Sequence, residues 1–588
     1  MNKLFILLFM VIPSMAQVVS PMRYSLKSTI QDTFLIEGLQ SNVVAEIRIV
    51  EVPYVTFVKD SILDTTYSDT TVYNYTTYYD STYLTWFGTG QGLALHDGHN
   101  VYAFQTTSES MENASRINIL PTGGIPAIAV AGDTMMGVAF SGDDGTVQMG
   151  YGITITSDAQ DTNGIEWKYY SQPVDENTDT LESLLNQNDW KFRQLPVTVP
   201  QANVTYDMSI LGDYVYVTSW AGGLRRLDNN TGVWENIPLP LDDSTSLSLC
   251  EESAYDSTTH IVKDYYLNPR DPGDGGNHNH KAFSVLTYVD TTYGHDDTTI
   301  WVGTADGINR GILIYQSGVN GPSSCIEWEH YSYPDDGLSG NFVVGLARQM
   351  WNGQQTIWAA TVNASDPGED RGLSYTRDDG TTWQTTLLGK RVYNVIAKDS
   401  LVLAATSSGL WKSLDGENWA KFPIAMDTMF MSQGQILTEK VYTASLDERD
   451  TIPRIWIGTS DGVALSSDMH GSNWTIFQAE FDSTEIYAYP NPFSPLSHNL
   501  LENDGYVRFH TGRVAEGKKI KLEIYNFAME KVHATTFDFN TYQGAIKWNG
   551  RGQNDKRVSN GVYFAHLNFT RLNSSSPENF WTKFIVVK

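Results

Sequence analysis

The sequence predicts an all-β protein in which a β-propeller of about seven blades is followed by a C-terminal β-sandwich. A short phrase, made of an apolar-aromatic strand, a Gly-Thr pair and a second glycine, returns along the chain. Thr, Tyr and Val, which favour strands, are frequent around each copy, and the pattern changes at residue 485. With 588 residues the chain is too long for one compact core, so both a ring of repeated units and a separate domain are expected.

The repeated phrase is clearest at Leu84–Gly92, Ile300–Gly307 and Ile455–Gly462. Looser copies begin at Met136, Tyr214, Ile357 and Leu401. An apolar strand precedes each copy, and a third strand follows it, often with a turn that ends in Trp. Units of four short strands are typical of propeller blades. Residues 17–482 are therefore predicted to form the propeller. Segments rich in Thr, Tyr and Asp, such as Asp64–Tyr73, favour extended chain and predict long hairpins on one face.

The first 16 residues have the pattern of a cleavable signal peptide. Lys3 is followed by an apolar run from Leu4 to Ile12, and small residues occupy positions 14 and 16, so cleavage is expected after Ala16. A membrane anchor, the alternative, needs about 20 apolar residues. No later segment is apolar enough to span a bilayer, so the mature protein is expected to have no membrane span. We also expect it to be a monomer.

The chain is strongly acidic, with a formal net charge of -29. This charge argues against nucleic acid or anionic lipid as a partner and favours a well-solvated surface. We expect no cofactor, with a structural Ca²⁺ ion as the alternative. Cys250 and Cys325 fit no metal-binding spacing and are either a single disulfide or a buried free pair.

Three turns in the later blades resemble the Asp-box, a hairpin motif of the form Ser/Thr-x-Asp-x-Gly-x-x-Trp. The motif is complete at Thr376, Asp378, Gly380 and Trp383, and it is one residue shorter at Ser413, Asp415 and Trp419. A third copy, at Asp468 and Trp474, is one residue longer. The Asp carboxylate is expected to accept backbone N–H groups across the turn, so these acids are predicted to be structural rather than catalytic.

Two segments resemble the repeat of two-component-regulator-type propellers. The first is Tyr333–Asn341, followed by Phe342 and a Val pair, and the second is Glu37–Asn42, followed directly by a Val pair. The resemblance implies that Tyr24–Ile30 supplies an outer strand ahead of the first blade. Such a strand could pair with the last blade and close the ring, which would remove open sheet edges.

Residues 485–588 contain about six short strands, the size of an Ig-like sandwich. They resemble the FlgD-type Ig-like domain at the C-terminus of type IX secretion cargo. The resemblance rests on Tyr489, Pro490, Asn491, Pro492, Phe493, Trp548, Gly561, Tyr563 and Lys583. It implies recognition by the type IX secretion machinery and release or attachment at the outer surface of a Gram-negative bacterium, via the periplasm. The alternative is an accessory module that packs beside the propeller.

Candidate chemistry is sparse in the propeller. His278, His280 and His295 could hold a divalent metal, but they lie in or near a glycine-rich loop, which favours a solvated segment instead. Trp220 and Trp351 could stack on a sugar ring or pack between blades. The arginine triad of sialidases is not recognisable, and a paired-carboxylate glycosidase site cannot be identified from spacing.

These observations lead to one functional prediction and one alternative. We expect an exported, non-catalytic propeller that binds an extracellular glycan or protein. The competing hypothesis is an extracellular glycan-acting enzyme, which requires two or three carboxylates at the mouth of the central channel.

Overall fold

A computed structural model describes most of the chain in segments: residues 17–18, 22–26, 35–39, 41–64, 70–104, 124–143, 148–160, 165–175, 180–185, 187–270, 275–290, 297–316, 323–428, 434–448, 452–479, 486–511, 518–539, 542, 544–571 and 577–588. The signal peptide predicted at residues 1–16 lies outside these residues. Within them, two short 3₁₀ helices, Pro200–Ala202 and Glu252–Ala254, accompany 44 strands. None of the described helices could cross a membrane.

Short strands precede the first blade, and the first three blades follow them. The leading strands are β1 (Gln17–Val18), β2 (Met22–Leu26) and β3 (Leu35–Glu37). Blade 1 contains β4 (Val44–Asp64), β5 (Thr70–Thr89), β6 (Gly92–His96) and β7 (Val101–Phe104); blade 2 contains β8 (Ile128–Ala131), β9 (Met135–Asp143), β10 (Gln148–Thr156) and β11 (Ile165–Tyr170). After β12 (Leu181–Leu184) and β13 (Gln187–Gln194), blade 3 contains β14 (Thr205–Leu211), β15 (Tyr214–Ser219), β16 (Gly223–Asp228) and β17 (Val233–Ile237).

Four further blades complete the propeller. After β18 (Ser246–Ser248) and β19 (Ile261–Leu267), blade 4 contains β20 (Ala282–Asp290), β21 (Asp297–Thr304), β22 (Gly307–Tyr315) and β23 (Ser324–Tyr331). Blade 5 contains β24 (Phe342–Trp351), β25 (Gln354–Val362), β26 (Gly372–Thr376) and β27 (Gln384–Thr386). Blade 6 contains β28 (Val392–Lys398), β29 (Leu401–Thr406), β30 (Gly409–Ser413) and β31 (Ala420–Lys421), and blade 7 contains β32 (Val441–Asp447), β33 (Arg454–Thr459), β34 (Gly462–Ser466) and β35 (Trp474–Phe477).

The seven blades form a closed ring. Each is an antiparallel sheet whose strands follow in chain order, and the first strand of each blade contacts the first strand of the next. The contact between β32 and β4 joins the last blade to the first. The predicted fold class and the number of blades are therefore confirmed, and the first strands line the central channel.

The repeated phrase forms the turn between the second and third strands. In four blades the threonine hydroxyl donates a hydrogen bond to the carbonyl of the glycine three residues later: Thr89 to Gly92 (2.8 Å), Thr304 to Gly307 (3.1 Å), Thr406 to Gly409 (2.7 Å) and Thr459 to Gly462 (2.8 Å). These glycines have φ values between 83° and 115°, which other residues rarely adopt. This local requirement explains why the phrase recurs.

The segment before the first blade lies along the outer edges of three blades. β3 pairs with β7, β2 with β11, and β1 with β17. The predicted pairing of Tyr24–Ile30 with the last blade is therefore wrong for its described part, Tyr24–Leu26, which pairs with blade 2, and residues 27–30 lie outside the described residues. The leading strands thus cover the open outer edges of blades 1, 2 and 3.

Two other expectations concern loops of the propeller. The hairpin of β4 and β5 is paired from Val44 and Thr89 out to Asp64 and Thr70, so the predicted elongated hairpin is confirmed. Cys250 and Cys325 form a disulfide across 75 residues, which resolves the two alternatives in favour of a bond. It ties the loop after β18 to β23, beside the small sheet of β12, β13 and β19.

The C-terminal residues form two sheets around one core. The first sheet contains β36 (Tyr487–Tyr489), β39 (Val507–His510) and β42 (Lys547–Trp548), with a small hairpin of β37 (Leu500–Leu501) and β38 (Asp504–Gly505). The second contains β40 (Lys518–Tyr525), β41 (Lys531–Asp538), β43 (Gly561–Arg571) and β44 (Glu578–Val586). Side chains from both sheets, including Phe509, Leu522, Trp548 and Phe584, are buried together.

A candidate ligand site at the mouth of the channel

Six of the seven inner strands carry an irregularity at the same place. The ladder between the first and second strands skips one residue near the start of the first strand, as a β-bulge does, at Ala45, Tyr206, Phe283, Val344, Tyr393 and Tyr442. A bulge leaves its extra residue unpaired and re-aims its side chain. Since the strands begin beside the Gly-Thr turns, the bulges form a ring at that mouth of the channel.

Four of the six bulge residues are aromatic, and their rings contact further aromatic side chains. Phe283 lies at the centre of one group, with its ring centroid 5.4 Å from Tyr206, 5.7 Å from Trp220 and 5.7 Å from Phe342. Tyr206 is 40% exposed, so this group faces solvent in part. We call these four side chains the aromatic cluster.

A second aromatic group lies across blades 6 and 7. The ring centroids of Tyr393 and Tyr442 are 5.3 Å apart, and the Arg391 guanidinium lies 5.4 Å from the Tyr393 ring. Burial, followed by the neighbouring Tyr393, raises the pKa of the Tyr442 hydroxyl. The hydroxyl therefore stays neutral and can both donate and accept hydrogen bonds at neutral pH.

The residue after each bulge is mostly polar. These residues are Glu46, Asp207, Ser284, Gly345, Asn394 and Thr443. Among them, the Asn394 side-chain oxygen and the Thr443 hydroxyl are buried and have no hydrogen-bond partner. Since buried polar atoms are nearly always satisfied, these two atoms mark places where a water molecule or a ligand can bind.

Glu46 and Asp207 share the positive charge of Arg48. The Arg48 Nη1 and Glu46 Oε2 atoms are 2.7 Å apart, and the Glu46 side chain is 14% exposed. Burial raises the pKa of Glu46 to about 7, which Arg48 opposes and Asp207 reinforces. Burial also raises the pKa of Asp207 to about 6, although its carboxylate accepts the N–H groups of Val285 (3.0 Å) and Met208 (2.8 Å).

The structure separates the two tryptophans that the sequence singled out. Trp220 belongs to the aromatic cluster, where the Lys281 ammonium lies 4.8 Å from its ring centroid. Trp351, 44% exposed, ends β24 and so lies toward the opposite end of the channel. Sequence reasoning missed Tyr206, Phe283, Phe342, Tyr393 and Tyr442. For all of these except Phe342, which precedes the apolar Val343, the signal was an aromatic residue directly before a polar one at the start of an inner strand, as in Tyr206-Asp207.

The two described candidate histidines, His278 and His280, do not form a metal site with other described residues. His280 is buried, its Nε2 lies 2.7 Å from the Ala221 carbonyl oxygen, and burial lowers its pKa to about 4. The His278 backbone N–H donates to Asp242 (2.8 Å), and His295 lies outside the described residues. Across the described segments, no group of three or more His, Cys, Asp or Glu side chains could hold a metal ion.

The carboxylates of the three Asp-box-like turns accept backbone N–H groups of their own turns. Asp378 Oδ1 accepts from Thr382 (2.8 Å), Asp415 Oδ1 from Asn418 (2.8 Å) and Asp468 Oδ1 from His470 (2.8 Å). Hydrogen bonds to the ionised form lower the pKa of all three carboxyls below its usual value. Trp383 and Trp474 are buried behind their turns, and Trp419 donates to Thr386 (2.9 Å).

The segment from Tyr489 to Phe493 lies against the last strand of the C-terminal domain. Phe493 is buried, its N–H donates to the Ile585 carbonyl (2.7 Å), and its own carbonyl accepts from Val587 (2.9 Å). Asn491 Oδ1 accepts the Ile585 N–H at 3.0 Å. Trp548 and Tyr563 are buried in the domain core, whereas Lys583 is exposed.

No family model matches this chain, and neither does any curated protein. Among solved structures it is similar to PorZ, an essential surface component of the type IX secretion system of Porphyromonas gingivalis, with 14% identity and a TM-score of 0.37. That match covers 86% of this chain, which spans 58% of the length of PorZ. It is also similar to YCF48 from Cyanidioschyzon merolae, with 12% identity, a TM-score of 0.34, and coverage of 76% of this chain and 99% of YCF48.

A third similar structure is the extracellular domain of a putative hybrid two-component system from B. thetaiotaomicron. The identity is 13% and the TM-score 0.27, with 86% of this chain and 71% of that domain covered. The assignment of the propeller rests on the strand order and ring closure described above.

Proposed function

We propose that this protein is an exported, non-catalytic propeller that binds an extracellular glycan or protein at the mouth of its channel. The aromatic cluster carries the proposal. Its partly exposed rings offer flat apolar faces, which stack on sugar rings or on apolar side chains. The unpartnered oxygens of Asn394 and Thr443, at the next ring of residues, supply the few polar groups that orient a ligand.

Phe283→Ala tests this proposal, because Phe283 contacts the other three rings of the cluster. The full mature chain would be screened on a glycan array and a panel of extracellular peptides, and the best ligand titrated by calorimetry. We expect Phe283→Ala to weaken binding at least tenfold. Trp351→Ala is the matched control, since it removes an exposed aromatic ring at the opposite end. Equal binding by both variants would contradict the proposal.

We also propose that residues 485–588 direct type IX secretion and surface attachment, after a signal peptide has carried the chain into the periplasm. The motif residues from Tyr489 to Phe493 support this, because they are built into the folded domain. Deleting residues 485–588 is expected to leave the protein in the periplasm, measured by cell fractionation and by protease access to intact cells. Unchanged surface display would refute this role.

The acidic pair favours a second candidate, a glycan-acting enzyme. Glycosidases use two carboxyl groups, one of which stays protonated near neutral pH, and a pKa of about 7 suits Glu46 for that general acid. The wild type and the variants Glu46→Gln and Asp207→Asn would be tested for hydrolysis of an array of glycans. Activity in the wild type that both variants lose would establish that the protein is a glycan-acting enzyme. The hydrogen bonds of Asp207 to two backbone N–H groups favour a structural role, and hence binding without hydrolysis.

A further inference from the structure

The ring closes between blade 7 and blade 1 without an exchanged strand. All four strands of blade 7 come from one continuous stretch, β32 to β35, and none of the described leading strands pairs with them. The described part of the leading segment makes one isolated parallel bridge just beyond β35, between Leu39 and Ala479. No covalent connection therefore joins the two ends of the propeller, which are held together by non-covalent contacts that blade 1 and residues 39–42 make with blade 7. We call this junction the seam.

Asn42 is the main polar contact across the seam. Its carbonyl accepts the N–H of Gly462 (2.7 Å), and its side-chain oxygen accepts the N–H of Ala479 (2.6 Å). Apolar side chains on both sides of the seam pack beside it, including Val44, Ile47 and Phe87 of blade 1 and Trp456 and Val463 of blade 7. Asn42 itself is buried.

The C-terminal domain contacts the seam through two side chains. Arg508 forms a two-pronged ion pair with Asp461, which directly precedes Gly462, at distances of 2.6 and 3.3 Å. Asp461 is fully buried and Arg508 is 12% exposed. On the other side, the Tyr489 hydroxyl is hydrogen bonded to the Asn42 side chain. The domain thus contacts Asn42 itself and Asp461, the residue directly before the Gly462 that bonds to Asn42.

The contact extends beyond these two side chains. The loop before β32 supplies Leu437, which is buried with Leu501 and Ala545 of the C-terminal domain. The Gln435 side-chain oxygen accepts from the Ala545 N–H (3.3 Å) and from the Lys547 ammonium (3.0 Å). The backbone N–H of Glu439 donates to the Leu500 carbonyl (3.0 Å). The interface therefore combines a small apolar core with paired polar groups.

We propose that the C-terminal domain is a clasp that keeps the propeller ring closed at the seam. It bridges the two chain ends where covalent continuity is missing, and Arg508 neutralises a carboxylate that the ring alone would leave buried without a cation. The ring opens between blades 7 and 1 when the clasp is lost. The domain therefore remains bound to the folded propeller and stabilises it, in addition to carrying the proposed sorting function.

Hydrogen exchange of the full mature chain, followed by mass spectrometry, tests the clasp. Arg508→Met is expected to speed exchange at least tenfold at Gly462 and Ala479, whose N–H groups bond to Asn42. Gly307, whose N–H makes the same bond to Asn341 between blades 4 and 5 (2.7 Å), is expected to exchange as in the wild type. Arg551→Met, the control, removes the ion pair to Asp504 inside the C-terminal domain and should leave the seam unchanged.

Unchanged exchange at Gly462, or equal acceleration at Gly462 and Gly307, would overturn the proposal. If Arg508→Met does not fold, Arg508→Lys keeps the charge and removes the two-pronged geometry, and the same selective acceleration is expected at a smaller size. Secretion of a folded Arg508→Lys variant tests sorting separately, because the clasp predicts altered exchange whether or not the variant reaches the surface.

Discussion

The joint between blades 4 and 5 and the seam between blades 7 and 1 have the same geometry but different chain connections. Gly307 donates to Asn341 and Gly462 donates to Asn42, both at 2.7 Å. The glycines at the equivalent positions before the two asparagines, Gly337 and Gly38, have φ values of 87° and 86°. Asn341 follows blade 4 directly, whereas Asn42 comes from the opposite end of the chain.

The two joints differ in the charge around one carboxylate. Asp306 and Asp461 occupy the same position of the turn, directly before the glycine. Burial, reinforced by the nearby Asp242, raises the pKa of Asp306 to about 6. Burial also raises the pKa of Asp461, but the Arg508 guanidinium opposes this shift. The comparison indicates that the C-terminal domain supplies at the seam the support that the continuous chain supplies at the other joint.

The largest expected effect comes from neutralising these two carboxyls in turn. Asp461→Asn leaves Arg508 without its buried partner and should cost about 3 kcal/mol in the free energy of unfolding. Asp306→Asn should stabilise the protein at pH 8, because it removes a buried negative charge near Asp242. Urea denaturation at pH 8 measures both. If both variants lost the same free energy of unfolding, the two carboxyls would not differ as the comparison of the two joints requires.

The stabilisation of the protein by Asp306→Asn should depend on pH. A carboxyl whose pKa is raised on folding binds more protons in the folded state, so its ionisation destabilises the protein as the pH rises from about 4 to about 6. The melting temperature of Asp306→Asn should therefore match that of the wild type below pH 4 and exceed it above pH 6. A constant difference across this range would show that charge is not the cause.

Removing the disulfide should weaken one joint selectively. Cys250 and Cys325 close a loop of 75 residues around blade 4, and such bonds contribute about 2 to 4 kcal/mol. The double variant Cys250→Ser with Cys325→Ser is expected to lose about 2 kcal/mol in urea denaturation. Its hydrogen exchange should be faster at Gly307 and unchanged at Gly462. Faster exchange at both amides would mean that the two joints are coupled.

The smallest effect is expected from the Tyr489 hydroxyl. Tyr489→Phe removes only the hydrogen bond to Asn42 and should cost about 1 kcal/mol. Tyr563→Phe is a matched control, because that hydroxyl bonds to the Ser559 carbonyl within the C-terminal domain (2.8 Å). Both variants should lose similar stability in urea, but only Tyr489→Phe should speed exchange at Gly462.

Some features of the fold and site were predictable because they depend on neighbouring residues. The Gly-Thr turns need a hydroxyl and a glycine three residues apart, and the similarity of Glu37–Asn42 to Tyr333–Asn341 indicated two equivalent joints. Trp220 was likewise identified from its own segment, as an aromatic residue that could stack on a sugar ring. The remaining aromatic residues of the mouth were not identified, because a β-bulge depends on the pairing of two strands and a single strand does not reveal it.

The sequence by itself determined the propeller fold and its number of blades, since both rest on a local repeat of turn chemistry and strand alternation. Only the tertiary structure decided that β2 covers blade 2, that Phe283 gathers three other rings, and that Arg508 meets Asp461. These contacts join residues far apart in the chain, and their energy depends on burial and on the arrangement of neighbouring blades. Neither quantity is present in any single segment of the sequence.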